Sequence, residues 1–313
     1  MSEQNNNSEG DTGDESETDN ELNEEDVEDF DPADDEDDSN NLGKWAGDEP
    51  IEDYNGYSDW EYDWEPTPDV GFDDIGGYNS VKERLKKKVI EPHKDKKGLY
   101  DHFNVDPLYG ILFHGPPGTG KTLFARALAN ELNRTFIEVG QADITHSHIN
   151  KSPRLIKTLF MEAQLQRAVI FIDEADSLLS KRDAYNSHEE DSKITNTFLR
   201  WLTKEETSYI TIFTTNLRDK MDEAALRNGR VDAKFEIGLP DLDSRKEILE
   251  VKLEDVPNSF TDNHINYFAN HLEGLSGADI DSLINESKLV AIDREGEKLK
   301  MGDVKKAYNE MGF

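Results

Sequence analysis

The run Gly110-Ile111-Leu112-Phe113-His114-Gly115-Pro116-Pro117-Gly118-Thr119-Gly120-Lys121-Thr122 decides the fold. Ile111, Leu112 and Phe113 form a short apolar run, which predicts a buried strand. Gly115 to Thr122 then fit G-x-x-x-x-G-K-[ST], the phosphate-binding P-loop, with Pro116, Pro117, Gly118 and Thr119 between its fixed positions. Glycines let backbone bend around a phosphate and aim several N–H groups inward. Lys121 adds a positive charge near the β- and γ-phosphates, and the Thr122 hydroxyl is placed to ligand Mg²⁺. Leu123 to Leu132 form helix readily, so the dipole of that helix also points at the phosphates.

Around this motif the composition is uneven. The 313 residues carry a net charge of −34, with room for one or two domains. Residues 1–70 hold 28 Asp and Glu against the single Lys44, which leaves the rest only mildly acidic. That balance argues against nucleic acid as a partner, because a nucleic-acid binder presents a basic face. There is no cysteine, which suits a reducing cytoplasm. No signal peptide is visible, and the longest apolar run, Ala168 to Ile172, is far too short for a bilayer.

Residues 1–41 are Asp, Glu, Asn and Ser with almost nothing apolar, and so predict disorder. Residues 42–69 stay acidic but gain Trp45, Tyr54, Tyr57, Trp60, Tyr62 and Trp64. These rings fit either a short segment that docks on a partner or local packing on the protein's own surface. The folded part is expected from Val70. Asn79 can cap a helix through Ile90, with Val81, Leu85 and Val89 on one face. Strands are expected at 135–139, 168–172, 209–214 and 234–237, with helices at 153–166 and 191–202 between them. Alternating strands and helices imply a parallel sheet covered on both faces. From Asp241 onward only helices are expected, near 242–253, 262–272, 277–293 and 302–311. The expected organisation is therefore an acidic tail over 1–69, a five-stranded α/β P-loop core over 70–240 and a small helical lid over 241–313.

Val169-Ile170-Phe171-Ile172-Asp173-Glu174 is apolar until it ends in two carboxylates. A buried strand that ends in an acid delivers the acid to the sheet's carboxyl edge. There Asp173 can hold Mg²⁺, and Glu174 can orient and deprotonate an attacking water.

With these motifs the chain resembles the AAA ATPase family, in the branch of the archaeal and eukaryotic protein unfoldases, over about residues 70–313. Asp73-Asp74-Ile75-Gly76-Gly77 is similar to the family's entry segment, which implies that backbone and Ile75 contact adenine. Thr214-Thr215-Asn216 resembles the sensor strand, in which Asn216 would position water or γ-phosphate. Asp222 to Arg230 resembles the second homology region, with Asn228 where the family has proline. Arg227 and Arg230 would then be arginine fingers that reach a neighbouring subunit's site. Such a finger is worth roughly 10³–10⁵ in rate. Gly277-Ala278-Asp279 resembles the start of the lid helix that contacts nucleotide.

The resemblance implies a homo-oligomer, a hexamer, that hydrolyses Mg-ATP to remodel or unfold a protein substrate brought directly or by an adaptor. A nucleotide-gated assembly or disassembly factor that does not thread its substrate is the alternative. The resemblance further puts His148-Ile149 at the position that grips substrate in the pore, with Asn150 in place of glycine and Pro153 in place of an acid. A solvated loop, or a metal site formed with His146, remains open for that segment. No folded substrate-binding domain is expected before the ATPase. The ending Glu310-Met311-Gly312-Phe313 lacks the hydrophobic-Tyr-x sequence that docks family members on the proteasome.

Overall fold

The computed structural model describes residues 62–94, 98–140, 152–175, 198, 200–202, 207–216 and 231–313, with the side chains of 152–154 excepted. Five parallel strands form one sheet: β1 Gly110–His114, β2 Phe136–Val139, β3 Val169–Ile172, β4 Ile210–Thr215 and β5 Ala233–Glu236. Their order is β2-β3-β4-β1-β5, so β4 lies between the P-loop strand and the acid-ending strand. The register pairs His114 with Thr215 and Ile172 with Phe213. All three chains therefore leave the sheet at the same carboxyl edge.

The apolar runs divide by parity between two cores. Ile111, Phe113, Val169, Phe171 and Ile212 face one side, while Leu112, Ile170, Ile172 and Phe213 face the other. Side chains alternate faces along a strand, so a run without polar residues requires cover on both faces. On the first face lie α1 (Asn79–Leu85) and α3 (Lys121–Glu131), through Val81, Leu85, Phe124 and Leu128. On the second lies α4 (Ser152–Gln166), through Ile156, Leu159, Phe160 and Ala163. Of the helix expected over 191–202, Phe198, Arg200, Trp201 and Leu202 are described and are helical. The rings of Phe160 and Trp201 stack 5.8 Å apart. A third core joins α5 (Leu242–Leu253), α6 (Asp262–His271), α7 (Gly277–Asp293) and α8 (Met301–Met311), which form the expected helical lid.

Three expectations are corrected. Asn79 does not cap α1. Tyr78, in left-handed conformation at φ 56°, holds the cap position. The Asn79 side chain instead donates to Glu247 on α5 at 2.9 Å. Helix α1 also does not stop at Ile90 but runs through a π-helical stretch, Lys86–Ile90, into a last turn, Glu91–His93. A further short helix, α2 (Leu99–His102), follows.

The third correction is where folded chain begins. Residues 62–69, expected to precede the fold, are part of it. Trp64 is 4% exposed in the second core, and its Nε1 donates to Glu162 at 2.7 Å. Tyr62 donates to the Leu155 carbonyl at 2.9 Å. Glu65 and Phe136 exchange two backbone bonds of 2.9 Å, so the segment pairs antiparallel with the edge of β2. For Tyr62 and Trp64, self-packing is the outcome, because a large ring buried against α4 gains more than one left in water. Residues 1–61, which include the other four rings, lie outside the described residues. No helix among the described residues is long and apolar enough to cross a membrane.

Candidate active site

A pocket of about 610 Å³ opens at the carboxyl edge of β1, β3 and β4, under the lid. Its floor is the loop between β1 and α3. Gly118 sits there at φ 74°, and a Cβ on it would lie 2.6 Å from the Ser276 hydroxyl, so only glycine fits. Lys121, 9% exposed, donates to the carbonyls of Gly115 (3.0 Å) and Pro116 (2.9 Å) and to Asn216 Oδ1 (2.7 Å). This last bond joins the loop to the end of β4.

Asp173 and Glu174 follow β3 into the same pocket. Thr214 on β4 ties them together: its hydroxyl donates to Asp173 Oδ1 and accepts from the Glu174 N–H at 3.0 Å. Glu174 itself is left-handed, at φ 50°. A non-glycine residue in that region is held by its surroundings, a feature that concentrates at functional sites.

The other end of the pocket is built by the Asp74-Ile75-Gly76 segment and α5. A Cβ on Gly76 would fall 2.4 Å from the Ile248 nitrogen, so this glycine lets the segment lie against α5. Lys82 donates to the Ile75 carbonyl, and burial lowers its pKa. Tyr78 donates to the Gly238 carbonyl at 3.0 Å. Burial, followed by the charge of Asp241, raises its pKa to about 12, so it stays protonated. The lid closes the pocket through Gly277 and Ala278, whose N–H donates to the Gly118 carbonyl at 3.0 Å.

Two family descriptions match this architecture. Residues 111–239 match the ATPase family associated with various cellular activities (AAA), and residues 262–306 match the AAA+ lid domain. The chain belongs to the AAA ATPase family. It is similar to proteasome-activating nucleotidase 2 of Haloferax volcanii, at 35% identity over 74% of this chain and 56% of that protein. It is also similar to the proteasome-activating nucleotidase of Methanopyrus kandleri, at 34% over 78% and 57%. A putative cell division cycle ATPase of Plasmodium falciparum is 37% identical over 72% of this chain and 18% of that one. The AAA chain thus spans less than two thirds of the length of these relatives.

Of the residues singled out in the sequence, the pocket gathers Asp74, Ile75, Gly76, Pro117 to Leu123, Asp173, Glu174, Asn216, Gly277 and Ala278. Gly115 and Pro116 do not line it and instead accept from Lys121. His148, Ile149, Arg227 and Arg230 lie outside the described residues. Sequence reasoning missed Tyr78, Arg126, Ile248, Val251, Lys252 and Asp281. The last acid pairs with Lys252 at 2.7 Å across two lid helices. Only the i+4 spacing of Arg126 from Thr122, on one helix face, signalled any of them.

Among the described residues no three His, Cys, Asp or Glu stand together as a metal cage. Thr122 and Asp173 offer two oxygens to one pocket. That donor set fits Mg²⁺, which completes its shell with phosphate and water oxygens.

Proposed function

We propose that this chain binds ATP in the pocket under the lid and hydrolyses it, with residues 62–240 as ATPase core and 241–313 as lid. The observation that carries this is the convergence of Lys121, Asp173, Glu174 and Asn216 at one edge of the sheet, from three different strands. In this reading the adenine lies between the Asp74-Ile75-Gly76 segment and the lid, against Ile248, Gly277 and Ala278. The β- and γ-phosphates take the place that the Gly115 and Pro116 carbonyls hold around the Lys121 ammonium. Thr122 and Asp173 hold Mg²⁺, which when bound spreads the charge of the phosphates. Glu174 accepts the proton of the attacking water, and Asn216 orients that water beside the γ-phosphate.

Arg227 and Arg230 serve as fingers for the site of a neighbouring subunit, so turnover depends on a homo-oligomeric ring, a hexamer by family resemblance. The names of the proteasome-activating relatives support a protein as the substrate. His148 and Ile149 are assigned to grip it, and the cytoplasm is the expected location. Glu174→Gln tests the chemistry. It should still bind ATP, while hydrolysis falls by about 10²–10⁴. Unchanged turnover would remove Glu174 from the mechanism.

A further inference from the structure

Arg126 stands one helical turn beyond Thr122 on α3, and it lines the pocket. Its guanidinium, however, is engaged on the β2 side. Nη2 lies 2.5 Å from each carboxylate oxygen of Glu65, and the guanidinium carbon sits 5.2 Å from the centre of the Phe136 ring. Glu65 is held by the backbone bonds it exchanges with Phe136, and Trp64 beside it is buried. The same stretch of chain follows α3, where Asn130 donates to the Pro68 carbonyl at 2.5 Å, and it re-enters the pocket at Asp74. Beyond Arg126 lies a second cavity of about 420 Å³, walled by Asp63, Trp64, Glu65, Phe136 and Glu138 as well as Arg126. Arg126 thus lines both cavities, and Glu65 holds its guanidinium on the β2 side.

We propose that Glu65 is a counter-anion that keeps the Arg126 charge off the phosphates, so that docking of residues 62–66 on β2 weakens nucleotide binding. A guanidinium reaches about 7 Å from its Cα and pairs with phosphate as readily as with carboxylate. Two anions therefore compete for one cation. Coupling of this kind is reciprocal: bound nucleotide loosens the 62–66 segment by the factor by which the segment weakens nucleotide. Glu65 and Arg126 are positioning residues here, and the proposal rests on the nucleotide site described above.

The test is calorimetric titration of the full chain with ADP and with adenosine. Glu65→Gln keeps the shape of the side chain and removes its charge. It should tighten ADP by about threefold to tenfold and leave adenosine unchanged. Arg126→Gln should alter ADP affinity by less than about twofold, since the guanidinium already has a partner, and it should abolish the gain when combined with Glu65→Gln. The exchanged pair Glu65→Arg with Arg126→Glu should restore the contact to β2 yet bind ADP more weakly than wild type. An unchanged or weaker ADP affinity in Glu65→Gln would overturn the proposal, as would a large loss in Arg126→Gln alone. Absence of ADP binding in the wild type would overturn the nucleotide site as well, which separates the two failures.

Discussion

Two helices begin at the pocket, and they begin in opposite ways. Helix α3 starts after Gly120 in left-handed conformation, and no side chain caps its first turn. Helix α7 starts with a full capping box: Ser276 accepts from the Asp279 N–H, and Asp279 accepts from the Ser276 N–H at 2.8 Å and from its hydroxyl at 2.7 Å. An uncapped first turn keeps its N–H groups for a ligand, whereas a capped one has spent them on its own stability. The two helices meet in one bond, from Ala278 N–H to Gly118 carbonyl. The first is arranged to bind an anion, the second to hold the wall that encloses it.

The contrast predicts that changes at α3 act on affinity and changes at α7 act on stability. Lys121→Ala should cost the most, about a 100-fold loss of ATP affinity by calorimetry, because it removes a charge-assisted contact to the phosphates. Normal affinity would end the assignment of α3. Gly118→Ala strikes the junction, where φ is 74° and the new methyl meets the Ser276 hydroxyl. Thermal unfolding should report a loss of about 2 kcal/mol, with weakened nucleotide binding alongside. If only one of the two properties moved, the helices would not be joined as described.

A group that does not line the pocket provides the reference. His93 bonds through Nε2 to the Leu108 carbonyl at 2.9 Å and meets Arg134 through Nδ1 at 3.4 Å. Burial, with Arg134 opposing the proton as well, lowers its pKa from 6.5 to about 4. The unfolded chain therefore takes up a proton below pH 6.5 and the folded chain only near pH 4. The stabilisation is complete above 6.5 and is lost as pH falls towards 4, by about 2 kcal/mol between pH 7 and pH 5. Denaturant titrations at pH 7 and 5 should show a smaller drop for His93→Gln than for wild type. The smallest effect belongs to Ser276→Ala, about 1 kcal/mol from the lost cap, with ATP affinity changed less than about threefold. A larger loss of affinity than of stability there would erase the distinction between the helices.

The strands were legible because each is an apolar run that had to be covered on both sides, and the observed bounds shift from the expected ones by about one residue. The P-loop was legible because its chemistry is local: glycines, a lysine and a threonine within eight positions. Ile248 and Lys252 were not, since they face the pocket from a helix more than 120 residues downstream and carry no pattern that distinguishes them from other lid residues. Trp64 was misplaced for a related reason. Its neighbours are acidic, so its burial cannot be inferred from local composition, only from the fit of one ring against α4.

By itself, then, the amino-acid sequence determined the elements whose cause lies within a dozen residues: the phosphate loop, the buried strands, the acids that end β3 and the helical lid. Only the tertiary structure decided that Asn79 would bond Glu247 rather than cap its helix, that Glu65 would pair with Phe136 at the edge of β2, and that Arg126 would line two cavities. The physical reason is range. Propensity, capping and periodicity act between neighbours in the chain, whereas these contacts join residues 60 to 170 positions apart and exist only once the sheet has set their places.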